Sequence, residues 1–583
     1  MLRLKLGLLF VSVVCLAVIV VGCGGSSNSN LAPPFTLSPS PSSVTIAQGG
    51  PGTSTITITP QSGFSGNVTL SASGLPTGVT AAFNSNPATT TSVLTLTASA
   101  TAATGTVTVT ITGMSGAMTS STTLSLTVTG AEAGQIKHVV IIFQENRSPD
   151  NLFHDPALIA AGADIASQGL TPTGMIPLTP VSLAVPYDLG HSHGAFVGAC
   201  DYNSSTNTCA MDGGDKVGCS GPGCPTNAPY QYVQASDVQP YFTMAETYTF
   251  GDRMFQTNEG PSFPAHQYII SGASAVCVPG NCPAGITSTI FAANNPSNNA
   301  RSDGTYWAGC LAPPGSEIEA IDTGNPDPST PTTVITQLCF EHPTLTDLLD
   351  AASLSWKYYT PGAGSIWTAP DAIQHMCVPS PAYPSDTSVC SGPDWTNPDP
   401  NVVIEGSRSQ IIQDIANGQL AAVSWVIPPG QASDHAGNSI DTGPSWVAAI
   451  VNAVGQSPYW ADTAIIVTWD DWGGWYDHVP PSQIRNSYEY GLRVPLIVIS
   501  PYAKPAYISH VNHDFGSILK FVETVFDLGE IDPSIGYADS RSDDLSDCFN
   551  FSQSPLVFAP IPAALKADYF LNDKSPPLPP DNY

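Results

Sequence analysis

The stretch Ala464-Ile465-Ile466-Val467-Thr468-Trp469-Asp470-Asp471-Trp472-Gly473-Gly474 is an apolar, partly β-branched run that stops at two adjacent acids and a pair of glycines. Bounded this way, the run reads as a buried strand. Four other runs behave alike: His138–Phe143, ending in Gln144-Glu145-Asn146; Leu354–Tyr359; Ala422–Ile427, leading to Asp434-His435; and Val494–Ser500. Helical periodicity alternates with them. Trp446, Ile450 and Val454 share one face of Ser445–Val454, and Ile518, Phe521, Val522 and Val525 share one face of Ser517–Phe526. Buried strands interleaved with helices predict an α/β domain. If the sheet is parallel, its ligands bind at the carboxyl ends of the strands. The acids, Asn146 and His435 would then converge. Adjacent carboxylates repel unless a cation compensates, and glycines permit close backbone approach. An oxygen-rich set of this kind suits a hard or borderline divalent cation.

A second segment, Glu259-Gly260-Pro261-Ser262-Phe263-Pro264-Ala265-His266-Gln267-Tyr268, sets Ser262 between a Gly-Pro turn and an expected helix start. There the hydroxyl has two readings: a helix cap, or a nucleophile activated by a metal at a site that favours anions.

Outward from these segments, the sequence changes character at Glu132. Leu6 to Ala131 contains no Asp, Glu, Lys or Arg. Within it, period-two runs such as Ser54–Thr59, Val93–Thr97, Val107–Ile111 and Leu124–Val128 predict an all-β immunoglobulin-like sandwich over residues 35–130. With no acid, base or cysteine, this domain reads as a spacer or binding module. Residues 24–34 read as a flexible linker. Before them, Arg3 and Lys5 precede an apolar run to Val21 that ends in Val20-Val21-Gly22-Cys23. This resembles a lipobox, so residues 1–23 are expected to be a lipoprotein signal peptide with Cys23 acylated. The expectation is an exported bacterial envelope lipoprotein, held at the membrane through its lipid. Residues 131–583 are left as the catalytic domain.

The whole chain carries 46 acidic and 16 basic residues, a formal net charge of −30. That balance argues against nucleic acid as a partner. It also repels anions, so an anionic substrate would require a local positive centre, such as a metal ion with histidines. Of the thirteen cysteines, Cys15 and Cys23 fall in the expected signal peptide; among the other eleven, Cys200/Cys209, Cys219/Cys224, Cys277/Cys282 and Cys377/Cys390 lie close in sequence. Cys310/Cys339 is available as a fifth pair, with Cys548 left over. Spacing alone leaves the connectivity open, and zinc at Cys219 and Cys224 is the competing reading. Disulfides and an oxidising compartment are favoured.

Together, Ile136-Lys137-His138-Val139-Val140 through Gln144-Glu145-Asn146-Arg147-Ser148, Gly260-Pro261-Ser262-Phe263-Pro264 and Trp469-Asp470-Asp471-Trp472-Gly473-Gly474-Trp475-Tyr476-Asp477-His478-Val479-Pro480-Pro481 resemble the motifs of the bacterial phosphoesterase family. That family contains phospholipases C and metal-dependent acid phosphatases. The resemblance implies an alkaline-phosphatase-like α/β/α fold and one divalent metal ion (Ca²⁺, Mg²⁺, Mn²⁺, Fe or Zn²⁺) held by Glu145, Asn146, Ser262, Asp470 and Asp471. It makes Ser262 the nucleophile and places His191, His375 and His435 around the phosphate, with His193 an alternative to His191. Ser262 and Asp470-Asp471, where the phospholipase branch has Thr and Asp-Glu, bring the chain nearer the acid phosphatase branch. Pro149, and Ala265-His266 in place of Asn-Arg, are departures that bear on substrate recognition. The expected reaction is hydrolysis of a phosphate ester through a phosphoserine. The rival readings are a phospholipase C acting on phospholipid head-group diesters and a non-catalytic surface-binding lipoprotein.

Overall fold

The computed structural model describes residues 34–580, except 49, 62, 100–101, 130–134, 204, 207, 278–281, 283, 285, 302–304, 323–332, 336–337, 378–389 and 482–489. The expected signal peptide, its Cys23 and nearly all of the linker lie outside these residues. Two compact units are present. The first comprises residues up to 127, without 46–50 and 98–105; the second comprises those two segments and residues 128–583.

The first unit contains two four-stranded sheets. One orders Phe35–Ser40, Pro51–Pro60, Thr91–Ala98 and Val79–Phe83; the other orders Ser43–Ala47, Met118–Thr129, Gly105–Ser115 and Thr69–Ser73. Period-two alternation decides which side chains face inward. Ser54, Ile56 and Ile58 are buried on one strand, and Ser92, Leu94, Leu96 and Ala98 on its neighbour. Gly113 of the second sheet packs against Phe35 and Leu37 of the first, where a Cβ would lie 3.0 and 3.2 Å from their side chains.

The second unit is built on a nine-stranded sheet. Its path runs Val402–Ile404, Trp356–Thr360, Val423–Val426, His138–Gln144, Thr463–Trp469, Arg493–Ile499, Thr249–Phe255 and Tyr507–Ser509, with His513–Asp514 also paired to Thr249–Phe255. Every residue of Thr463–Trp469 and Arg493–Ile499 is buried, so both faces are covered, as continuous apolar strands require. One group of helices packs Gly443–Gly455 against Ala235–Thr247 and Gln410–Ala416; another packs Ser262–Ser271 against Phe515–Phe526.

All five strands foreseen from sequence are present. The sheet is mixed rather than wholly parallel, because Arg493–Ile499 runs against both of its neighbours. That reversal has a use. An antiparallel strand begins where its neighbours end, so Arg493 sits at the same edge as the residues that follow the parallel strands. Five disulfides form the pairs expected: Cys200–Cys209, Cys219–Cys224, Cys277–Cys282, Cys310–Cys339 and Cys377–Cys390. This removes the zinc reading of Cys219 and Cys224. Among the described residues, Cys548 is the one cysteine outside a disulfide, and no helix is long and apolar enough to cross a membrane.

Candidate active site

Register assembles the site. Trp469 pairs with Gln144 across adjacent parallel strands, so Glu145-Asn146 and Asp470-Asp471 leave the sheet side by side. The backbone N–H of Asn146 donates to Asp470 Oδ1 at 2.9 Å, and that of Glu145 donates to the carbonyl of Ser433 at 2.9 Å. The second bond ties in the loop that carries Asp434 and His435. Asn146 adopts φ 60° and Asp434 φ 70°. Such left-handed backbone is costly for non-glycine residues and clusters at functional sites.

The two glycines after the acids are required by space as well as conformation. Gly473 has φ +64°, and a Cβ there would come within 2.2 Å of the Asn146 carbonyl oxygen. Gly474 has φ +73°, and its Cβ would lie 2.7 Å from the carbonyl of Gly190. Bare backbone at these positions lets the acid-bearing loop lie against Asn146 on one side and the approach to His191 on the other.

The histidine tautomers follow from their partners. His191 Nδ1 donates to the carbonyl of Leu189 at 2.7 Å, and His435 Nδ1 donates to that of Ala436 at 2.5 Å. Each ring therefore turns an Nε2 lone pair inward, and Asn146 Nδ2 lies 3.0 Å from both. The amide must donate both protons to these two rings. Its carbonyl, Asn146 Oδ1, is then left buried with no hydrogen-bond partner, as is Asp470 Oδ2. Buried oxygens without partners are expensive. Burial first, and the charge of Asp470 second, push the Asp471 carboxyl well above its ordinary range; His191 and His435 oppose that push. Two hard oxygens aimed at nothing beside a strained acid pair fit a divalent cation.

Ser262 begins the helix Ser262–Ser271, and its side chain makes no capping bond. The hydroxyl instead points to Asp471 Oδ2 at 3.5 Å, fully buried. Of its two sequence readings, capping is removed. The residue stands at the positive end of a ten-residue helix.

The structure thus gathers Glu145, Asn146, Ser262, Asp470, Asp471, His191 and His435 from five separate segments. His193 turns its Nδ1 to the carbonyl of Glu259 at 2.6 Å. His375 is not brought in: its partners are Glu341 at 2.9 Å and Asp347 at 3.5 Å, on a side chain one-third exposed.

One site residue was not foreseen in its role. His266 reads in the sequence as a departure affecting substrate recognition. In the structure it is fully buried beneath Glu145, with Nε2 2.9 Å from Glu145 Oε1. His266, Glu145 and Asp470 form a compact trio of residues able to ligate a metal. Burial lowers its pKa to about 4 against the pull of Asp470. The ring is therefore neutral, and Nε2–H donates to the carboxylate. The available signal was its spacing: His266 lies four residues after Ser262, on the same helix face.

Around this core, Arg147 is fully buried. It donates through Nε to the carbonyl of Asp434 at 2.8 Å and lies over Trp475 at 5.0 Å. Tyr241 and Trp469 donate to Asp434 Oδ2 at 2.7 and 3.0 Å, so that carboxylate anchors its loop. His478 bridges Asp150 at 2.8 Å and Asp164 at 3.0 Å, beside an Arg493–Asp477 pair at 2.9 Å. Trp367, whose ring lies 6.2 Å from His435 and 6.3 Å from His266, also lines a mostly apolar cavity of about 420 Å³ with Trp307, Ile366, Pro361 and Leu578.

Residues 136–529 match the Phosphoesterase family. The chain belongs to the phosphoesterase family, whose chemistry is hydrolysis of phosphoric esters. Curated relatives include a non-hemolytic phospholipase C of Burkholderia pseudomallei, 23% identical over 72% of this chain and 59% of that protein. Phospholipase C A of Mycobacterium tuberculosis is 24% identical over 72% of this chain and 78% of its own. A non-hemolytic phospholipase C of Pseudomonas aeruginosa is 22% identical over 74% and 60%. The chain thus spans about three-fifths of the Burkholderia and Pseudomonas proteins.

Proposed function

We propose that this phosphoesterase hydrolyses phosphate esters with Ser262 as nucleophile and one divalent metal ion as cofactor, in the manner of the acid phosphatases. The observation that carries the reading is Ser262 Oγ, buried at a helix start and 3.5 Å from Asp471 Oδ2. Asn146 Oδ1 and Asp470 Oδ2, two buried oxygens without partners, support it. Glu145, Asn146, Ser262, Asp470 and Asp471 would hold the ion. When bound, the ion supplies the positive charge that makes a serine hydroxyl acidic enough to react and draws an anionic ester into an acidic protein.

The chain's own groups account for the rest. The helix start favours the phosphate oxygens. Asn146 donates to the inward Nε2 atoms of His191 and His435; a ring that takes up a proton there gives up that bond, and its Nε2–H is then free to donate to a phosphate oxygen or to the leaving alkoxide. Ser262 Oγ gives its proton to Asp471 Oδ2, the carboxylate oxygen it faces, and forms the bond to phosphorus as the ester oxygen departs. Water then attacks the phosphoserine, releasing phosphate and restoring the hydroxyl. Mass spectrometry of acid-quenched turnover tests this. Phosphate on the peptide containing Ser262 is expected; its absence from a slowly turned-over substrate refutes the nucleophile.

A phospholipase C acting on head-group diesters is the second reading. It is favoured by the names of the relatives and by the apolar cavity beside Trp367. Product analysis separates the two: free phosphate from a monoester, or diacylglycerol with a phosphorylated head group. An inert protein across a broad ester panel would instead favour a binding role.

We further propose an alkaline-phosphatase-like architecture for the catalytic domain. The first unit is read as an immunoglobulin-like spacer on an exported, Cys23-anchored lipoprotein. Incorporation of labelled fatty acid, lost in Cys23→Ala, tests the anchor.

A further inference from the structure

A second cluster of metal-ligating side chains lies away from the Ser262 site. His513 is carried on the strand His513–Asp514, and Asp547 and Cys548 on the 3₁₀ turn Ser546–Cys548. His513 and Cys548 are fully buried. His513 Nε2 stands 3.3 Å from Asp547 Oδ1, and Cys548 Sγ stands 3.6 Å from Asp547 Oδ1 and 4.0 Å from His513 Nε2. Ligands arranged tetrahedrally at zinc-type bond lengths are about 3.3 to 3.6 Å apart. Two edges of this triangle therefore match, and the third is wider by a few tenths of an ångström. Ser509 Oγ, 3.0 Å from the same Nε2, offers a fourth donor.

The far side of the ring points the same way. His513 Nδ1 faces both oxygens of Asp543, at 3.0 and 2.9 Å. A carboxylate behind a ligating imidazole fixes the tautomer and directs the other nitrogen's lone pair at the ion. The described chain commits every other cysteine to a disulfide and keeps this buried thiol beside a histidine and an acid.

We propose that His513, Asp547 and Cys548, with Ser509, form a structural site for a transition-metal ion of the zinc class, distinct from the one proposed at Ser262. The sulfur and nitrogen donors select such an ion over Ca²⁺ or Mg²⁺. Protons and charge balance. His513 Nδ1 faces Asp543 and its Nε2 faces Asp547 Oδ1, so both ring nitrogens donate. Cys548 Sγ donates its proton to Asp547 Oδ1. An entering M²⁺ displaces one proton from His513 Nε2 and one from Cys548 Sγ, so the net charge of the His513, Asp543, Asp547 and Cys548 set is unchanged. Asp543 and Asp547, whose side chains are 29% and 23% exposed, give the ion a way in.

The site would staple residues 509–513 to the 546–548 turn beside the strand Thr249–Phe255. Thr249 Oγ1 already bonds the carbonyl of Cys548 at 3.0 Å, and the N–H of Phe515 donates to Thr257 Oγ1 at 3.0 Å. That strand leads directly into the Ser262 segment. The ion would therefore brace the nucleophile's platform without touching substrate.

The test uses the full chain loaded with Zn²⁺ or Co²⁺ and then dialysed, comparing wild type, Cys548→Ala, Asp547→Asn and Asp470→Asn. Wild type is expected to hold one more ion per chain than Cys548→Ala by elemental analysis. Its cobalt form should show a thiolate-to-cobalt charge-transfer band that Cys548→Ala lacks and Asp470→Asn keeps. Loss of that band together with one ion in Asp547→Asn supports the site even if Cys548→Ala does not fold. Equal metal content in wild type and Asp547→Asn, with no thiolate band in wild type, overturns the proposal.

Discussion

Replacing His478 by glutamine should remove a pH-dependent part of the protein's stability. Both ring nitrogens face carboxylates, Nδ1 with Asp150 at 2.8 Å and Nε2 with Asp164 at 3.0 Å. Both must donate, so the ring is an imidazolium. Burial opposes the charge, but the hydrogen bond and charge of Asp150, with the charge of Asp477, raise the pKa to about 9. Against an ordinary value near 6.5, this shift corresponds to a ceiling of about 3 kcal/mol. With the side chain 29% exposed, solvent screening brings the expectation nearer 1–2 kcal/mol. Because the folded pKa lies above the unfolded one, the contribution is complete below about pH 6.5 and is lost as pH climbs through about 9. The assay is urea unfolding at pH 6, 7, 8, 9 and 10, followed by the fluorescence of the buried Trp472 and Trp475. The stability difference between wild type and His478→Gln should be largest at pH 6 and shrink steadily to pH 10. A difference that stays constant or grows with pH would refute the reasoning.

Ser262→Ala should cut phosphoester turnover by at least about a thousandfold with an unchanged circular dichroism spectrum, since the hydroxyl caps nothing. Asp470→Asn should lower metal content in elemental analysis and abolish turnover together. Gly473→Ala forces a left-handed alanine against the Asn146 carbonyl, with an expected cost of about 1–3 kcal/mol in denaturant titrations and loss of most activity. His266→Leu removes the donor to Glu145 and should weaken metal affinity by roughly 10–100-fold in a chelator competition, with a smaller effect on KM for the ester.

Much of the site was legible because its parts follow strand ends. A run such as Ala464–Trp469 is recognisable alone, and the polar residues just past it are candidates whatever the partner strands prove to be. The disulfides were legible for a similar reason, since four of the five pairs are local. His266 was missed because a buried histidine under a carboxylate looks, in one dimension, like any helical substitution. The pairing of His375 with Glu341 and Asp347, away from the cluster, likewise had no local signature.

The sequence by itself determined where five buried strands lie and stop, which acids and amide follow them, and that Ser262 opens a helix, because hydrophobic periodicity and turn chemistry are written residue by residue. Only the tertiary structure decided that Trp469 lies level with Gln144, that one strand runs backwards to deliver Arg493, and that Asn146 gives both amide protons to two histidines and leaves its oxygen bare. Register, strand direction and the meeting of Asn146 with two histidines depend on contacts between residues tens to hundreds of positions apart, and no local pattern encodes them.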